Sequence, residues 1–321
     1  MSIQKFGLHS LLPDTITLLS GPGCPVCVSD QSFINKAISY ARLPNTIITT
    51  FGDLIRVPGT SSSLAKEQAK GADVRIIYSP HQALEIAQDN PDKIVIFLAI
   101  GFETTAPTSA ATILKSHHLE IKNLLLLSSH KTMPPAMTAL IDKGVEVNGY
   151  IAPGHVSTIT GIQMYESFVN NFRVGCVISG FEPLDLMQSI YLLIRQLEQH
   201  QPKVENQYSR VVKKEGNLMA KKILSEVFIS HDDWWRGLGI LPLSGLKLAP
   251  KFDYFDAEIK LTTDVEPSEE NPNCICGTIL RGQATPTDCP LFGNNCTPLN
   301  PVGACMVSSE GTCSAYYKYR D

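Results

Sequence analysis

The sequence has no excess of basic residues, since 27 Lys and Arg stand against 31 Asp and Glu for a net charge of −4. It has no apolar run near the roughly 20 residues that a membrane span requires, and a long run such as 94–100 has only the length of a strand. Residues 1–7 lack the basic head and apolar core of a signal peptide. These absences predict a cytoplasmic protein that binds neither nucleic acid nor a membrane.

The sequence also lacks a Gly-x-Gly-x-x-Gly or P-loop pattern after any predicted strand. Both patterns place backbone N–H groups around phosphates. Their absence therefore disfavours one alternative, a nucleotide-binding α/β protein whose structure is held together by zinc. Apolar residues nevertheless make up 43% of the chain, which is enough to fill sizeable cores. A chain of 321 residues suits two or three packed domains.

Short β-branched apolar runs alternate with helical stretches over the first two thirds of the chain, a pattern typical of α/β folds with parallel sheets. The pattern fits two similar α/β halves or one wide sheet. The predicted strands are residues 15–20, 46–51, 74–78, 93–100, 123–128, 147–152 and 175–179. The predicted helices are residues 29–41, 62–70, 81–88, 107–116, 158–170, 183–198 and 207–228.

The periodic pattern ends near Trp234 and Trp235, and Pro, Gly and Cys become frequent toward the C-terminus. Such a region is held together by something other than a large apolar core. We therefore predict three domains: a first α/β domain at 1–130, a second with further helices at 131–230, and an irregular C-terminal domain at 231–321.

Polar loops follow most of the predicted strands. Because sites in open α/β sheets form beyond the carboxyl ends of the strands, we expect these loops to line a cleft. Its rim would include Asp53, Glu103, His130 and His155. Glu103 and His155 are candidate catalytic residues, and Glu103 is the stronger, because a carboxylate at a strand end beside hydroxyl groups can orient a ligand or act as a base.

The nine cysteines are informative, because cytoplasmic thiols stay reduced and their clustering then indicates metal or redox chemistry. Cys176 stands alone on a predicted strand and is interpreted as a small buried residue. Two others form the Cys-Pro-Val-Cys turn, at Cys24 and Cys27. The remaining six lie within forty residues: Cys274, Cys276, Cys289, Cys296, Cys305 and Cys313.

The spacing of these six favours an iron–sulfur cluster over zinc. Structural zinc sites usually bring their ligands in closely spaced pairs, whereas this segment has one Cys-x-Cys followed by widely spread single cysteines. A [4Fe–4S] cluster needs four thiolates and accepts irregular loops between them. Structural disulfides are the least favoured alternative. The two cysteines left over could form a redox-active dithiol beside the cluster.

The turn at residues 21–27 follows a predicted strand and precedes a predicted helix. In such a Cys-x-x-Cys, the helix dipole and the second thiol are expected to lower the pKa of the first thiol, here Cys24. The pair would then suit thiol–disulfide exchange, or equally a two-thiolate ligand set for low-spin iron. A thioredoxin is a poor match, because the chain is far longer and carries the extra cysteines.

Four motifs taken together closely resemble the hydrogenase formation family HypD. They are Gly-Pro-Gly-Cys-Pro-Val-Cys at 21–27, Gly-Phe-Glu-Thr-Thr-Ala-Pro at 101–107, Pro-Gly-His-Val-Ser at 153–157, and Pro-Val-Gly-Ala-Cys-Met-Val-Ser-Ser-Glu-Gly at 301–311. The resemblance extends from about Phe6 to the last residues. It implies two Rossmann-like parallel-sheet domains with a cleft, plus a small irregular C-terminal domain with a [4Fe–4S] cluster.

The resemblance also implies roles for the cysteines. Cys24 and Cys27 match the redox-active pair of the family, near an assembly site. Cys276 and Cys305 match two extra cysteines that would form a disulfide next to the cluster. The residues that match the cluster ligands are Cys274, Cys289, Cys296 and Cys313.

Members of that family work with a small HypC-type chaperone and a HypE-type cyanide donor. The resemblance therefore implies a scaffold and electron donor for a transient Fe(II) with cyanide and CO ligands. This would be the Fe(CN)2CO moiety of [NiFe] hydrogenase. The alternative is a stand-alone iron–sulfur thiol–disulfide oxidoreductase, which would turn over disulfide substrates without partners.

The sequence departs from the family in one respect. HypD proteins carry a Cys-Gly-x-His motif shortly before the segment that matches Phe6-Gly7-Leu8, whereas this sequence begins at Met1. The missing cysteine resembles a thiol that holds iron together with HypC. A start assigned too late, a trimmed chain and a copy without that function all fit this difference.

Overall fold

The computed structural model describes residues 1–319 and contains two sheets flanked by helices. Its strands are β1 (Thr46–Thr50), β2 (Asp73–Ile76), β3 (Ile94–Gly101), β4 (Leu124–Lys131), β5 (Gly149–Pro153), β6 (Gly175–Ser179), β7 (Val204–Asn206), β8 (Phe228–Trp235) and β9 (Gly239–Leu248).

The helices that precede β5 are α1 (Ser2–Lys5), α2 (Pro25–Val28), α3 (Gln31–Ala41), α4 (Leu64–Ala69), α5 (Pro80–Asp89), α6 (Ala106–His118) and α7 (Met133–Asp142). Those that follow are α8 (Gly154–Thr160), α9 (Glu166–Phe172), α10 (Pro183–Glu198), α11 (Leu218–Val227), α12 (Ala257–Lys260), α13 (Cys276–Leu280), α14 (Ala304–Val307) and α15 (Thr312–Tyr319). Short 3₁₀ helices span Leu8–Leu11, Gly52–Arg56, Gln163–Tyr165, Pro250–Phe255 and Pro286–Asp288.

The first sheet has the strand order β2-β1-β3-β4-β9-β8. β1 to β4 are parallel, and β9 runs antiparallel to both β4 and β8. β3 is apolar along its whole length and buried along almost all of it, as expected of a central parallel strand covered on both faces. The sequence prediction of an α/β fold with two parallel-sheet domains is confirmed, and an antiparallel pair extends the first sheet.

The second sheet is smaller and parallel, with the order β5-β6-β7. α7 carries the chain from β4 of the first sheet to β5 of the second, and the segment 207–217 carries it back. On the return, the Lys214 carbonyl accepts from the Ile162 N–H at 3.0 Å, and the Ile159 carbonyl accepts from the Asn217 N–H at 3.0 Å. The return segment is thus bonded to the second domain through its backbone.

Three sequence predictions of local structure are wrong. Residues 15–20 form no strand and lie as irregular chain, where Leu19 packs beside Gly282. The predicted helix 158–170 is interrupted where Gly161 takes a φ of +82°. The predicted helix 207–228 begins only at Leu218, because the Asn217 side chain caps it by accepting from the Ala220 N–H at 3.0 Å.

The C-terminal segment has no sheet of its own and shares the core of the first domain. Ile279, Leu280 and Met306 are buried in the same hydrophobic cluster as Val28 and Trp235. Residues 228–248, which the sequence analysis places mostly in the C-terminal domain, complete the first sheet instead. No helix in residues 1–319 has the length and apolarity to span a membrane.

We expect Gly216→Ala to lower the free energy of unfolding by about 2–3 kcal/mol. Gly216 has a φ of +69°, and a Cβ there would lie 2.3 Å from the Ile159 carbonyl oxygen. Gly144→Ala is the matched control, because Gly144 has a φ of +78° with nothing within 4 Å of an added Cβ. That variant should lose only about 1 kcal/mol. Urea unfolding curves of the three proteins measure both losses, and equal losses would contradict the close backbone contact.

Candidate functional site

The Cys-Pro-Val-Cys turn forms the short helix α2. Cys24 is its N-cap, and the Cys24 Sγ accepts a hydrogen bond from the Cys27 N–H at 3.3 Å. Pro25 occupies the first turn, where its missing N–H costs nothing and its fixed φ suits the helix. Both thiols are buried, with exposed fractions of 4% for Cys24 and 0% for Cys27. The turn therefore presents two adjacent thiols just below the protein surface.

The surroundings make Cys27 the acidic thiol of the pair. Burial opposes its ionisation, but hydrogen bonds from the Cys24 and Cys305 thiols and the charge of Arg236 outweigh that effect and lower the pKa of Cys27 to about 5. Burial, together with Cys27 itself, raises the pKa of Cys24 well above its usual range. The sequence prediction that the first thiol is the acidic one is wrong, because Cys24 donates the stabilising hydrogen bond and Cys27 receives it.

All six C-terminal cysteines line one enclosed space. Cys276 and Cys305 are almost fully buried, Cys296 and Cys313 nearly so, and Cys274 and Cys289 are half-buried. The space they surround, a cavity of about 10 Å³, is otherwise walled by apolar groups such as Ile279, Leu291 and Met306. The sequence prediction that these cysteines act together agrees with this arrangement. Cys176 lies elsewhere, on β6 in the core of the second domain.

The donor set of this space suits an iron–sulfur cluster. Its polar lining consists of thiols alone, which are the ligands that such clusters prefer. The backbone N–H of Val302 donates to the Cys296 Sγ at 3.3 Å, a contact of the kind that tunes cluster sulfurs. Within residues 1–319, no three His, Cys, Asp or Glu side chains are placed to hold a single metal ion. The thiols that line this space are compatible with iron–sulfur binding.

Cys305 joins this space to the Cys-Pro-Val-Cys turn. Its thiol makes hydrogen bonds with Cys27, Cys276 and Cys313, and these contacts raise the pKa of Cys305 well above the usual value. The Cys276 Sγ donates to the Cys305 Sγ at 2.9 Å. The sulfur atoms therefore form a continuous series from Cys24 to the walls of the enclosed space.

The two domains and the C-terminal segment enclose a cleft above the turn. One cavity of about 460 Å³ is bordered by Cys24, Cys27 and Glu310 from one side and His155 from the other. His155 lies in the first turn of α8, is exposed, and packs its ring against Phe181 at 5.0 Å. His155 therefore borders the same cavity as Cys24 and Cys27, where the sequence analysis expects a rim residue.

Glu103 and His130 do not lie on the rim, so that prediction is wrong for both. Glu103 is 5% exposed, and its Oε1 accepts from the Met133 N–H at 2.9 Å. It thereby caps α7, whose own N-cap Thr132 provides no side-chain bond. The Glu103 Oε2 is buried without a hydrogen-bond partner, and burial raises the pKa of the carboxyl group to about 7.

His130 is fully buried beneath the same edge of the sheet. Its Nδ1 lies 3.2 Å from the Gly101 carbonyl oxygen and its Nε2 lies 2.8 Å from the Ser109 Oγ. Burial lowers the pKa of the imidazole to about 4. The neutral ring donates from Nδ1 to the carbonyl and accepts the Ser109 hydroxyl at Nε2, which is a structural role.

Two residues that sequence reasoning missed act directly on the thiols. Arg236 donates to the Cys27 carbonyl oxygen at 3.1 Å and to the Ser29 carbonyl oxygen at 3.2 Å. Ser308 opposes the rise in the pKa of the Cys24 thiol. Neither residue has a local signal in the sequence, because each lies more than 200 positions from the turn that it contacts. The serine lies within the motif 301–311, but the sequence analysis assigned a role only to the cysteine of that motif.

This fold and site define a class of protein: an α/β protein rich in buried thiols, with a cysteine cluster that is compatible with iron–sulfur binding. The profile of HypD, described as a hydrogenase formation hypA family, matches residues 1–320. The chain belongs to the HypD family of hydrogenase maturation factors.

Three relatives illustrate the match. A putative hydrogenase expression/formation protein of Methanocaldococcus jannaschii is 47% identical over 321 residues, covering 99% of this chain and 89% of that protein. Hydrogenase maturation factor HypD2 of Bradyrhizobium diazoefficiens is 46% identical over 327 residues, covering 99% and 86%. Hydrogenase maturation factor HypD of Escherichia coli K12 is 43% identical over 323 residues, covering 99% and 86%.

We expect the Cys27 thiol to ionise near pH 5 in the folded, reduced protein. The absorbance of the thiolate near 240 nm should appear with that midpoint and be missing from Cys27→Ser. Cys24→Ala removes the hydrogen-bond donor and should raise the midpoint by at least about one pH unit. Cys176→Ser is the control and should leave the titration unchanged. A midpoint near that of an ordinary thiol in the unsubstituted protein would contradict the assignment.

Proposed function

We propose that this chain is a cytoplasmic scaffold and electron donor for assembling the Fe(CN)2CO moiety of [NiFe] hydrogenase. In this proposal it holds a [4Fe–4S] cluster and works with a HypC-type chaperone and a HypE-type cyanide donor. The iron with its cyanide and CO ligands is the cargo. The observation that carries the proposal is the position of Cys305, whose thiol contacts Cys27, Cys276 and Cys313.

The contacts of Cys305 support transfer of an electron pair between two dithiols. Cys276 and Cys305 are close enough to form a disulfide with little movement, since their sulfur atoms are 2.9 Å apart and a disulfide bond is about 2.0 Å long. Exchange would then form a bond between Cys24 and Cys27 and break the one between Cys276 and Cys305, or the reverse. The Cys27 thiolate is the nucleophile, because its pKa of about 5 leaves it ionised at neutral pH.

Four thiols around the enclosed space would hold the cluster: Cys274, Cys289, Cys296 and Cys313. The cluster, when bound, supplies electrons one at a time. Cys313 contacts Cys305, so the proposed ligand set adjoins the proposed dithiol. The apolar walls, including Ile279 and Met306, keep water from these sulfurs.

The cleft residues would receive and orient the cargo beside Cys24 and Cys27. His155 faces this pair across the 460 Å³ cavity and offers an imidazole nitrogen to a ligand there. Glu103 would act through α7, which it caps, by fixing Met133 and Met137, which line a second cavity of about 190 Å³ that His155 also borders. We therefore assign His155 a direct role and Glu103 a positioning role.

An exposed apolar strip next to the cleft supports the proposed partner binding. Phe181, Leu184 and Tyr191 have exposed fractions of 46%, 78% and 61%. Leu184 and Tyr191 are seven residues apart on α10, so both lie on one face of the helix, and Phe181 borders the cleft. Exposed apolar groups of this kind are typical of protein contacts.

The first prediction concerns iron. Protein purified without oxygen should contain about four irons and four sulfides per chain, with a broad visible absorption that a reductant bleaches. Serine at any of the four proposed ligands should abolish most of the iron content. Cys176→Ser is the control, because Cys176 is a fully buried cysteine that lies in the second domain. Zinc, or no metal at all, in the unsubstituted protein would refute the cluster.

The second prediction tests electron transfer through Cys305 separately from binding of the cluster. Cys305→Ser should retain iron but reduce hydrogenase maturation to background in cells that lack their own HypD, because the thiol of Cys305, which contacts both Cys27 and Cys276, is lost. Cys176→Ser should mature hydrogenase normally. Normal maturation by Cys305→Ser would refute the path. Rapid turnover of disulfide substrates by the isolated chain, with no effect on maturation, would favour the stand-alone oxidoreductase.

A further inference from the structure

An apolar cavity of about 190 Å³ lies beside the Cys-Pro-Val-Cys turn, where the two domains meet. Its walls come from the first domain, from α7 and from the second domain. Six of the lining side chains are buried, each with an exposed fraction of 5% or less: Phe102, Met133, Met137, Leu140, Ala152 and Val156. The deep wall of the cavity therefore consists of carbon and sulfur atoms.

The cavity offers few polar groups to a guest molecule. Among the described residues that line it, only Tyr150 and His155 have a nitrogen or oxygen atom in the side chain. The Tyr150 hydroxyl donates to the Met137 carbonyl oxygen at 3.4 Å, and the Gly23 N–H donates to the Gly21 carbonyl oxygen at 2.8 Å. A buried water needs two to four polar partners, and apolar cavities of similar size stay dry and bind xenon. This cavity therefore suits a small, neutral, apolar molecule.

The apolar cavity adjoins the cleft. Gly21, Gly23 and His155 line both this cavity and the cavity of about 460 Å³ that borders the thiols of the turn. The larger cavity has polar walls, with side chains such as Gln4 and Glu310. Two compartments of opposite polarity thus meet at the place where the cargo iron would lie.

We propose that the apolar cavity holds carbon monoxide beside the iron that takes up its ligands in the cleft. This inference rests on the proposed assembly function. Carbon monoxide is neutral and a poor hydrogen-bond acceptor, so an apolar wall costs it little. Cyanide is an anion, and its burial without a partner is expensive. The polar cleft would therefore admit cyanide, and the apolar cavity would supply carbon monoxide.

The transfer itself is a ligand addition. The lone pair on the carbon atom forms an iron–carbon bond, and a water molecule leaves if one occupied that position. No electron changes owner, so the step needs neither oxidant nor reductant. A reactant held next to its target reacts as if its concentration were raised. The cavity would therefore matter most when dissolved carbon monoxide is scarce, and a filled cavity should raise the amount of gas that assembly requires.

The first test observes the cavity directly in the full-length protein labelled with carbon-13 in its methionine methyl groups. Saturation with carbon monoxide, or with xenon, should shift the resonances of Met133 and Met137 relative to nitrogen-saturated buffer. Met219 is 68% exposed and should not respond. Ala152→Leu adds three carbon atoms to the wall and should abolish both shifts, while the other methionine resonances report that the variant is folded.

A second variant fills the cavity from its other side. Leu140→Phe adds three carbon atoms on α7 and should also abolish the shifts. Leu114→Phe is the matched control, because Leu114 is half-buried on α6 beside a different hydrophobic cluster. That variant should respond to both gases like the unsubstituted protein.

The second test measures delivery in cells that lack their own HypD and grow under a series of carbon-13 monoxide pressures. The infrared band of the hydrogenase carbonyl reports how much labelled gas has been built in. Ala152→Leu and Leu140→Phe should each need at least about fivefold more gas for half of the maximal labelling. Both should reach the unsubstituted maximum at high pressure, and Leu114→Phe should match the unsubstituted protein throughout.

The outcomes separate this inference from the proposed function. Unchanged resonances of Met133 and Met137 under both gases, or an equal gas requirement in all variants, would overturn the carbon monoxide cavity and leave the scaffold intact. Loss of the shifts when a HypC-type chaperone is added would also overturn it, because an apolar side chain of the partner would then fill the space. No maturation by the unsubstituted protein would overturn the assembly function, and this inference with it.

Discussion

The site depends on the close packing of the C-terminal segment against α2. Cys305 is 1% exposed and bonds to thiols on both sides of that contact. The contact is tight enough that a Cβ at Gly311 would lie 2.2 Å from the Cys305 carbonyl oxygen. Only glycine allows the chain to turn back here and bring Cys313 to the same space. A fold that closed less tightly would leave two separate groups of cysteines and no series of sulfurs.

Burial of these thiols sets their chemistry. Removing a thiolate from water costs free energy. A hydrogen bond from a neighbouring thiol offsets part of that cost. As a result, one thiol of each pair becomes more acidic and the other becomes less acidic. The Cys24–Cys27 pair follows this rule, with Arg236 adding the charge that favours the thiolate on Cys27. The helix dipole has little part in it, because α2 has only four residues.

The sequence predicts the parts of the molecule that have a local signal. Continuous apolar runs identify β1 to β6, and cysteine spacing identifies the residues of the enclosed space. The antiparallel strands β8 and β9 escape prediction. β9 pairs with β4, more than 100 positions away in the sequence, and β8 joins the sheet only by pairing with β9. The same reason hides Arg236 and Ser308. Residues 15–20 have the alternation of a strand, but in residues 1–319 no neighbouring strand pairs with them.

The site is therefore a property of the folded chain and not of any segment of it. The Cys-Pro-Val-Cys turn supplies the thiols, β8 leads into Arg236, and α14 carries Cys305 and leads into Ser308. Without Arg236 and Cys305, Cys27 would ionise like an ordinary buried thiol. Acidity at Cys27 thus requires that the C-terminal segment be in place. A chain in which the C-terminal segment is not packed against α2 carries the motif but lacks the contacts that lower the pKa of Cys27.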